Sequence, residues 1–272
     1  MSVKSASSRR CRTRRPVPSS LREAALERAL ADERARLERA TAEFAAFTQA
    51  ASHDLQAPLH KIAAFGELLR GRLAAGGTDE ESLAYLGRMQ AAAAAARVLV
   101  EDLLMLARVT TKGAQPRECD AAAVAREALA EVSTKRAPLD ARVEFGLLPP
   151  VVADPAQLRQ LFFVLLDNAV KFRRPGTSAS VAVSGREIAD AGLVEYTVSD
   201  AGIGFDERWL DRIFLPFQRL HGPGEYPGTG IGLALASKIV ARHGGSLTAS
   251  SGPGGGASFV ARMPRRPISA PS

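Results

Sequence analysis

The chain has 272 residues with a formal net charge of +7, and 46% of them are hydrophobic; this suggests about two domains and excludes wholesale disorder. Cys11 and Cys119 are too few for a disulfide framework or a cysteine metal cluster, which fits a reducing compartment. No apolar run reaches the roughly 18 residues of a membrane span, so a cytoplasmic chain without a transmembrane segment is expected.

Residues 1–19 carry Lys4, Arg9, Arg10, Arg12, Arg14 and Arg15, and no acid precedes Glu23. Such a stretch cannot offset its ordering entropy and reads as a disordered basic tail. Contact of this tail with nucleic acid or an anionic membrane is the less favoured reading. From residue 20 to 50 the pattern changes: Leu30, Leu37, Phe44 and Ala51 recur every seven residues, with Leu26, Ala40 and Phe47 between them. This heptad seam predicts a coiled-coil helix that needs a partner helix.

The helical pattern continues through Leu55, Leu59, Ile62, Leu69 and Leu73, with a kink expected at Pro58, and stops at Gly76-Gly77. A second helix is expected from about Asp79 to Thr110, with Leu83, Leu86, Met89, Ala93, Val100, Leu103, Leu104 and Leu106 as its apolar positions. One such hairpin cannot bury both faces, so two copies should pair into a four-helix bundle, making a homodimer.

Thr111–Glu118 reads as a linker. Beyond it, helices are expected near Ala121–Val132, Pro155–Phe172 and Gly230–His243, and strands near 141–147, 151–153, 179–188, 194–199, 246–250 and 257–263. Asp154-Pro155 is a strong helix start, an N-cap followed by proline at the first helical position. The fold class is therefore a helical hairpin followed by an α/β sandwich of helices on one mixed sheet.

His53 lies in ASHDLQAPL, one turn before Pro58. Asp54 beside it can orient an imidazole or take its proton, and the heptad seam leaves His53 free to face outward. In the second domain, Asn168 and Lys171 stand three apart on one helix and so share a face. An amide oxygen and an ammonium there suit Mg²⁺ and phosphate. Asp200 at a strand end can accept a hydrogen bond from an exocyclic amine, while Gly202 and Gly204 let the backbone approach a base. Gly228, Thr229, Gly230, Gly232 and Leu233 open a helix, where free backbone donors and the helix dipole favour phosphate. No P-loop pattern occurs, and Leu233 breaks a dinucleotide fingerprint.

ASHDLQAPL resembles the phosphoacceptor box of the sensor histidine kinases, in the version near phytochrome-type kinases. DNAVKF, DAGIGF, IFLPFQRL and GTGIGLAL, in that order, resemble the ATP-binding domain of the same family, whose fold is shared with gyrase, Hsp90 and MutL. The resemblance implies that residues 51–112 are a dimerisation and phosphotransfer domain, 118–265 an ATP-binding catalytic domain and 266–272 a tail. It implies that His53 is phosphorylated with Asp54 as acid/base neighbour, that Asn168 holds Mg²⁺ and that Lys171 touches the phosphates. It further implies that Asp200 reads the adenine amine, Gly228–Leu233 wrap the triphosphate, and Phe214 and Phe217 anchor a lid over 221–227. His60, His221 and His243 are left without a chemical role. The phosphoryl group is then expected to pass to an aspartate of a separate response regulator, with a sensory protein acting in trans as the possible input.

Two positions depart from the pattern. Val164 stands where the family usually has a second Asn, and Ala57 where its phosphatase-competent members have Thr or Asn. Val164 keeps open a catalytically impaired, nucleotide-binding scaffold, and it also argues against a water-activating ATPase of the gyrase class. Ala57 predicts weak phosphatase activity, because it has no hydrogen-bonding group.

Overall fold

The structure, a computed structural model, describes residues 31, 34, 51–52, 54–74, 80–111, 114–220, 225–226, 228–252 and 254–266. Contacts divide the chain into residues 1–49 and 50–272. In the first unit only Ala31 and Arg34 are described, both helical. The basic tail and nearly all of the heptad segment therefore lie outside the described residues, as does the Gly76-Gly77 turn.

Residues 54–74 form helix α1, which continues through Pro58, and Glu80–Thr111 form α2. The two run antiparallel. Phe65 stacks on Tyr85 with ring centroids 6.1 Å apart, Arg88 lies over the Phe65 ring, and Arg72 pairs with Glu81 nearer the turn. Leu59, Leu68 and Leu73 on α1 and Leu83, Leu86 and Leu104 on α2 remain exposed. The helices thus meet along only part of their apolar surface. On α2, by contrast, Ala92, Leu99 and Leu106, spaced by seven, are buried together with Val109.

The second domain opens with a strand that the sequence reading assigned to a linker. Arg117–Cys119 (β1) pairs antiparallel with Val151–Ala153 (β3). Three residues are too few for alternation to show in the sequence, and the pairing depends on a strand more than 30 residues away. The main sheet has five strands: β2 (Ala141–Phe145), β4 (Ala179–Ile188), β5 (Leu193–Asp200), β6 (Ser246–Ser251) and β7 (Ala257–Pro264). Their order is β2-β4-β5-β7-β6, with β2 and β4 parallel and the other pairs antiparallel.

Three helices cover one face of this sheet: α3 (Ala121–Lys135), α4 (Pro155–Lys171) and, after a short helix α5 (Leu210–Ile213), α6 (Gly232–Arg242). Period-2 burial in β4, with Ala179, Val181 and Val183 inward and Ser180, Ala182 and Ser184 outward, shows the single buried face of a two-layer sandwich. Leu158, Leu161, Phe162, Leu165 and Leu166 of α4 are almost wholly buried, and truncating any one of them to alanine should cost about 2–5 kcal/mol. Both α3 and α4 begin as the sequence predicts: Asp120 accepts from the Ala122 and Ala123 N–H groups, and Asp154 from those of Ala156 and Gln157. Helix α6 starts at Gly232, two residues later than expected, and ends before Gly244 in the left-handed conformation at φ 76°.

Helix α2 packs on α6. Among its last four carbonyls, which have no partner within the helix, that of Val109 accepts from the Arg242 guanidinium and from Gln157 Nε2 at 3.4 Å. Asp154 adds a further tie, because its second oxygen accepts from the Ala114 N–H at 2.7 Å. His243 is held at both nitrogens, accepting from the Asp154 N–H at 3.0 Å and standing 2.8 Å from the Ile239 carbonyl. Its role is to join the end of α6 to the start of α4.

Candidate active site

A cavity of about 530 Å³ lies between α4, the end of β5, the start of α6 and the flank of α2. That is within the range of pockets that hold a small organic ligand. Of the ten residues that the sequence assigns to a nucleotide pocket, all but Gly202 line it. Asn168 and Lys171 come from α4, Asp200 and Gly204 from the end of β5 and the turn after it, and Gly228, Thr229, Gly230, Gly232 and Leu233 from the α6 approach.

Each group is fixed by local physics. One oxygen of Asp200 accepts from the Gly202 N–H at 2.8 Å and from the Ala257 N–H at 3.2 Å. Burial raises the Asp200 carboxyl above the usual carboxylate range, against the pull of those two bonds. Gly202 stands behind Asp200 and cannot be larger, since a Cβ there would lie 2.4 Å from the Phe172 carbonyl oxygen. Gly204 has φ 66°, and its Cβ would fall 2.3 Å from the Gly252 oxygen. Both glycines thus serve close backbone packing around the carboxylate.

Lys171 ends α4 half-buried, with its Nζ 4.3 Å from the centre of the Phe172 ring. Burial lowers its ammonium to about 8, opposed by the nearby Asp167 carboxylate. A positive group with depleted solvation is a strong receptor for an anion. Gly228 faces it so closely that a Cβ would lie 2.9 Å from Nζ. Ile231 at the N-cap of α6 has no capping side chain, and among the described residues none takes its place, so the first N–H groups of that helix face the cavity without a side-chain acceptor.

The structure also brings in residues that the sequence reading passed over. Arg219 lines the cavity and donates to the Tyr226 carbonyl at 2.8 Å; Tyr226 in turn packs on Phe172 with centroids 5.0 Å apart. Arg219 lies inside the run IFLPFQRL, whose phenylalanines are its conspicuous residues. Phe217 has φ 64° and its N–H donates to the Gly230 carbonyl at 3.1 Å, tying that segment to the glycine loop. Lys135 and Arg136, at the end of α3, reach the same cavity and both pair with Asp167. Val98 and Asp102 of α2 close one end, and sequence distance hides any such contribution.

His53 lies outside the described residues, as do 221–224 and 227 of the expected lid. Asp54 is described, half-buried on α1, and does not line the cavity. Ala57 and His60 are exposed, and Val164 lines the cavity almost fully buried. A divalent cation also fits the donor set. Among the described residues no group of three His, Cys, Asp or Glu could hold one alone, so Asn168 can supply one neutral oxygen while an anionic ligand supplies the rest.

Two family models match the chain. Residues 153–267 match the "histidine kinase-, DNA gyrase B-, and HSP90-like ATPase" family, and residues 45–112 match the "His Kinase A (phospho-acceptor) domain". The phytochrome-like protein Cph1 of Synechocystis sp. is 36% identical over 84% of the chain, which spans 30% of that protein. The signal transduction histidine-protein kinase/phosphatase MprB of Mycobacterium sp. is 32% identical over 80% of the chain, which spans 43% of it. Among solved structures, histidine kinase ThkA in complex with response regulator protein TrrA superposes with a TM-score of 0.61 at 19% identity, covering 89% of this chain and 67% of ThkA, a likeness of fold. No described helix is long and apolar enough to cross a membrane.

Proposed function

Because the chain belongs to the sensor histidine kinases of two-component systems, we propose that it binds ATP in the cavity described above and transfers the γ-phosphoryl group to His53. The observation that carries this reading is the convergence of Asn168, Lys171, Asp200 and the Gly228–Leu233 loop on one pocket from three separate segments. Asp200 accepts a hydrogen bond from the adenine amine, and its fixed second contact set keeps it from rotating away. Lys171, Arg219 and the first N–H groups of α6 receive the phosphates. Asn168 offers the oxygen that, with the phosphates, would hold Mg²⁺; the ion when bound neutralises phosphate charge.

In the reaction a neutral imidazole nitrogen of His53 forms a bond to the γ-phosphorus as the bond to the bridging β–γ oxygen breaks, and ADP leaves. The imidazole proton passes to Asp54. The phosphoryl group then moves from His53 to an aspartate carboxylate of a response regulator. Residues 51–112 act as the dimerisation and acceptor unit, and the exposed Leu59, Leu68, Leu83 and Leu86 supply the apolar surface that a second copy covers.

Labelled ATP tests this directly. Wild type gains acid-labile label, and His53→Ala gains none. Acid-stable label, or label retained by His53→Ala, overturns the assignment. A second reading, a nucleotide-binding scaffold without efficient transfer, rests on Val164, which places a methyl surface on the cavity wall. Nucleotide binding by calorimetry with no label on His53 selects it.

A further inference from the structure

The contact between α2 and the glycine loop is polar and specific. Thr229 Oγ1 donates to Asp102 Oδ2 at 2.5 Å, across 127 residues of sequence. Asp102 is half-buried, projects from the same flank of α2 as Val98, one turn earlier, and lines the cavity with it. A carboxylate so placed lowers its energy by finding a donor, and the loop that offers one is the loop with uncapped helix N–H groups behind it. Burial raises the Asp102 carboxyl above its ordinary value, with its neighbour Glu101 adding to the rise, while the Thr229 hydroxyl and Lys135 oppose it.

We propose that Asp102 is a nucleotide-sensitive latch: its carboxylate holds the Thr229 loop in the absence of ATP, competes with the triphosphate for that loop, and is displaced when ATP binds. The argument is one of charge. A triphosphate drawn to the start of α6 brings several negative charges to a site where Asp102 already supplies one, and like charges at such range repel strongly in a partly desolvated cavity. Displacement removes one of the ties between α2 and the ATP-binding domain. It leaves the anchor at Val109, where Arg242 and Gln157 cap the end of the helix. Movement about that remaining anchor alters how the cavity faces the hairpin that carries the acceptor. Asp102 therefore acts as a positioning residue, through Thr229 and not through contact with the reacting atoms.

The inference rests on the proposed ATP site, and its test separates the two. Isothermal titration with ATP and with adenosine is done on the full chain as wild type, Asp102→Asn and Asp102→Ala. Asp102→Asn keeps an acceptor oxygen for Thr229 and removes the charge; Asp102→Ala removes both. Both variants should bind ATP more tightly than wild type, about 3-fold for Asn and about 10-fold for Ala, the latter equal to one charge-assisted hydrogen bond. Adenosine, which has no phosphates, should not gain from competition for the phosphate loop, so its affinity should change less than twofold between the three proteins. Equal gains for ATP and adenosine would overturn the latch, because competition for the loop acts only through the phosphates.

Hydrogen exchange supplies a second readout. Adding a non-hydrolysable ATP analogue should speed exchange over residues 98–106 in wild type, and Asp102→Ala should exchange that fast without ligand. ATP affinity that is unchanged or weaker in Asp102→Ala, while wild type still binds ATP, overturns the latch and leaves the ATP site standing. Failure of wild type to bind ATP overturns the site itself, and the latch with it.

Discussion

Lys171 offers a prediction in which stability and binding move in opposite directions. Its ammonium is lowered from 10.5 to about 8, chiefly by burial. A shift of that size corresponds to at most about 3 kcal/mol of destabilisation at neutral pH. Lys171 is only half-buried, so solvent screening reduces this to roughly 1 kcal/mol. Lys171→Met keeps the aliphatic stem against Phe172 and deletes the charge. The variant should be more stable than wild type at pH 7 by about 1 kcal/mol, equivalent to about 2–4 °C in Tm for a domain of this size.

The pH dependence follows from the same shift. Between about pH 8 and 10.5 the unfolded chain binds a proton at Lys171 that the folded chain has released, so wild-type stability gains on that of Lys171→Met as pH rises through this window. The loss of binding is larger than the gain in stability. A phosphate contact to a partly desolvated ammonium contributes about 1.5–3 kcal/mol, so ATP affinity should fall about 10- to 100-fold. Wild-type affinity should decline as pH rises above about 8, with proton uptake on binding, visible as a dependence of calorimetric heat on buffer ionisation enthalpy. Thermal melts and titrations on both proteins at pH 7 and pH 9.5 measure all of this. Lys171→Met that melts below wild type at pH 7, or that binds ATP equally well, refutes the reasoning.

Gly202→Ala should abolish measurable ATP binding and lower Tm by several degrees, because its Cβ would lie 2.4 Å from the Phe172 oxygen and displace the backbone that fixes Asp200; calorimetry and a thermal melt check it. Asp154→Ala removes two N-cap bonds and the tie to Ala114, and should destabilise by about 1–3 kcal/mol in denaturant titration with little change in ATP affinity. Val164→Asn places an amide on the cavity wall one turn before Asn168, and should raise the initial rate of His53 labelling severalfold while lowering stability by about 1–3 kcal/mol. A labelling rate at or below wild type contradicts the reading of Val164 as a catalytic deficit.

What the sequence discloses follows the range over which each cause acts. The N-caps Asp120 and Asp154 operate within three residues, and the alternation along β4 within ten, so helix starts and long strands are readable locally. Strand β1 is not, because a three-residue strand exists only through its partner. The short α5 is one turn long and has no period to detect. The site divides in the same way. Glycines that need positive φ or a missing Cβ stand out as residues, whereas Arg219, Lys135, Arg136 and Asp102 are ordinary surface types until folding sets them around one cavity.

The charges of that cavity explain why Lys171 and Asp102 are the groups to perturb. Lys135 and Arg136 share Asp167, and Arg219 is held to the Tyr226 carbonyl, so three of the four lining cations have a protein partner. Lys171 has the Phe172 ring and shares the pull of Asp167 with Lys135 and Arg136, which leaves its charge largely uncompensated. Among the three described acids, Asp167 is matched by two cations and Asp200 by two backbone donors, while Asp102 has one hydrogen-bond donor, the Thr229 hydroxyl, besides the weaker field of Lys135. An incoming polyanion therefore gains most at Lys171 and is opposed most at Asp102. Nucleotide affinity should consequently respond with opposite sign to neutralising these two residues, and the double variant should fall between the two single ones.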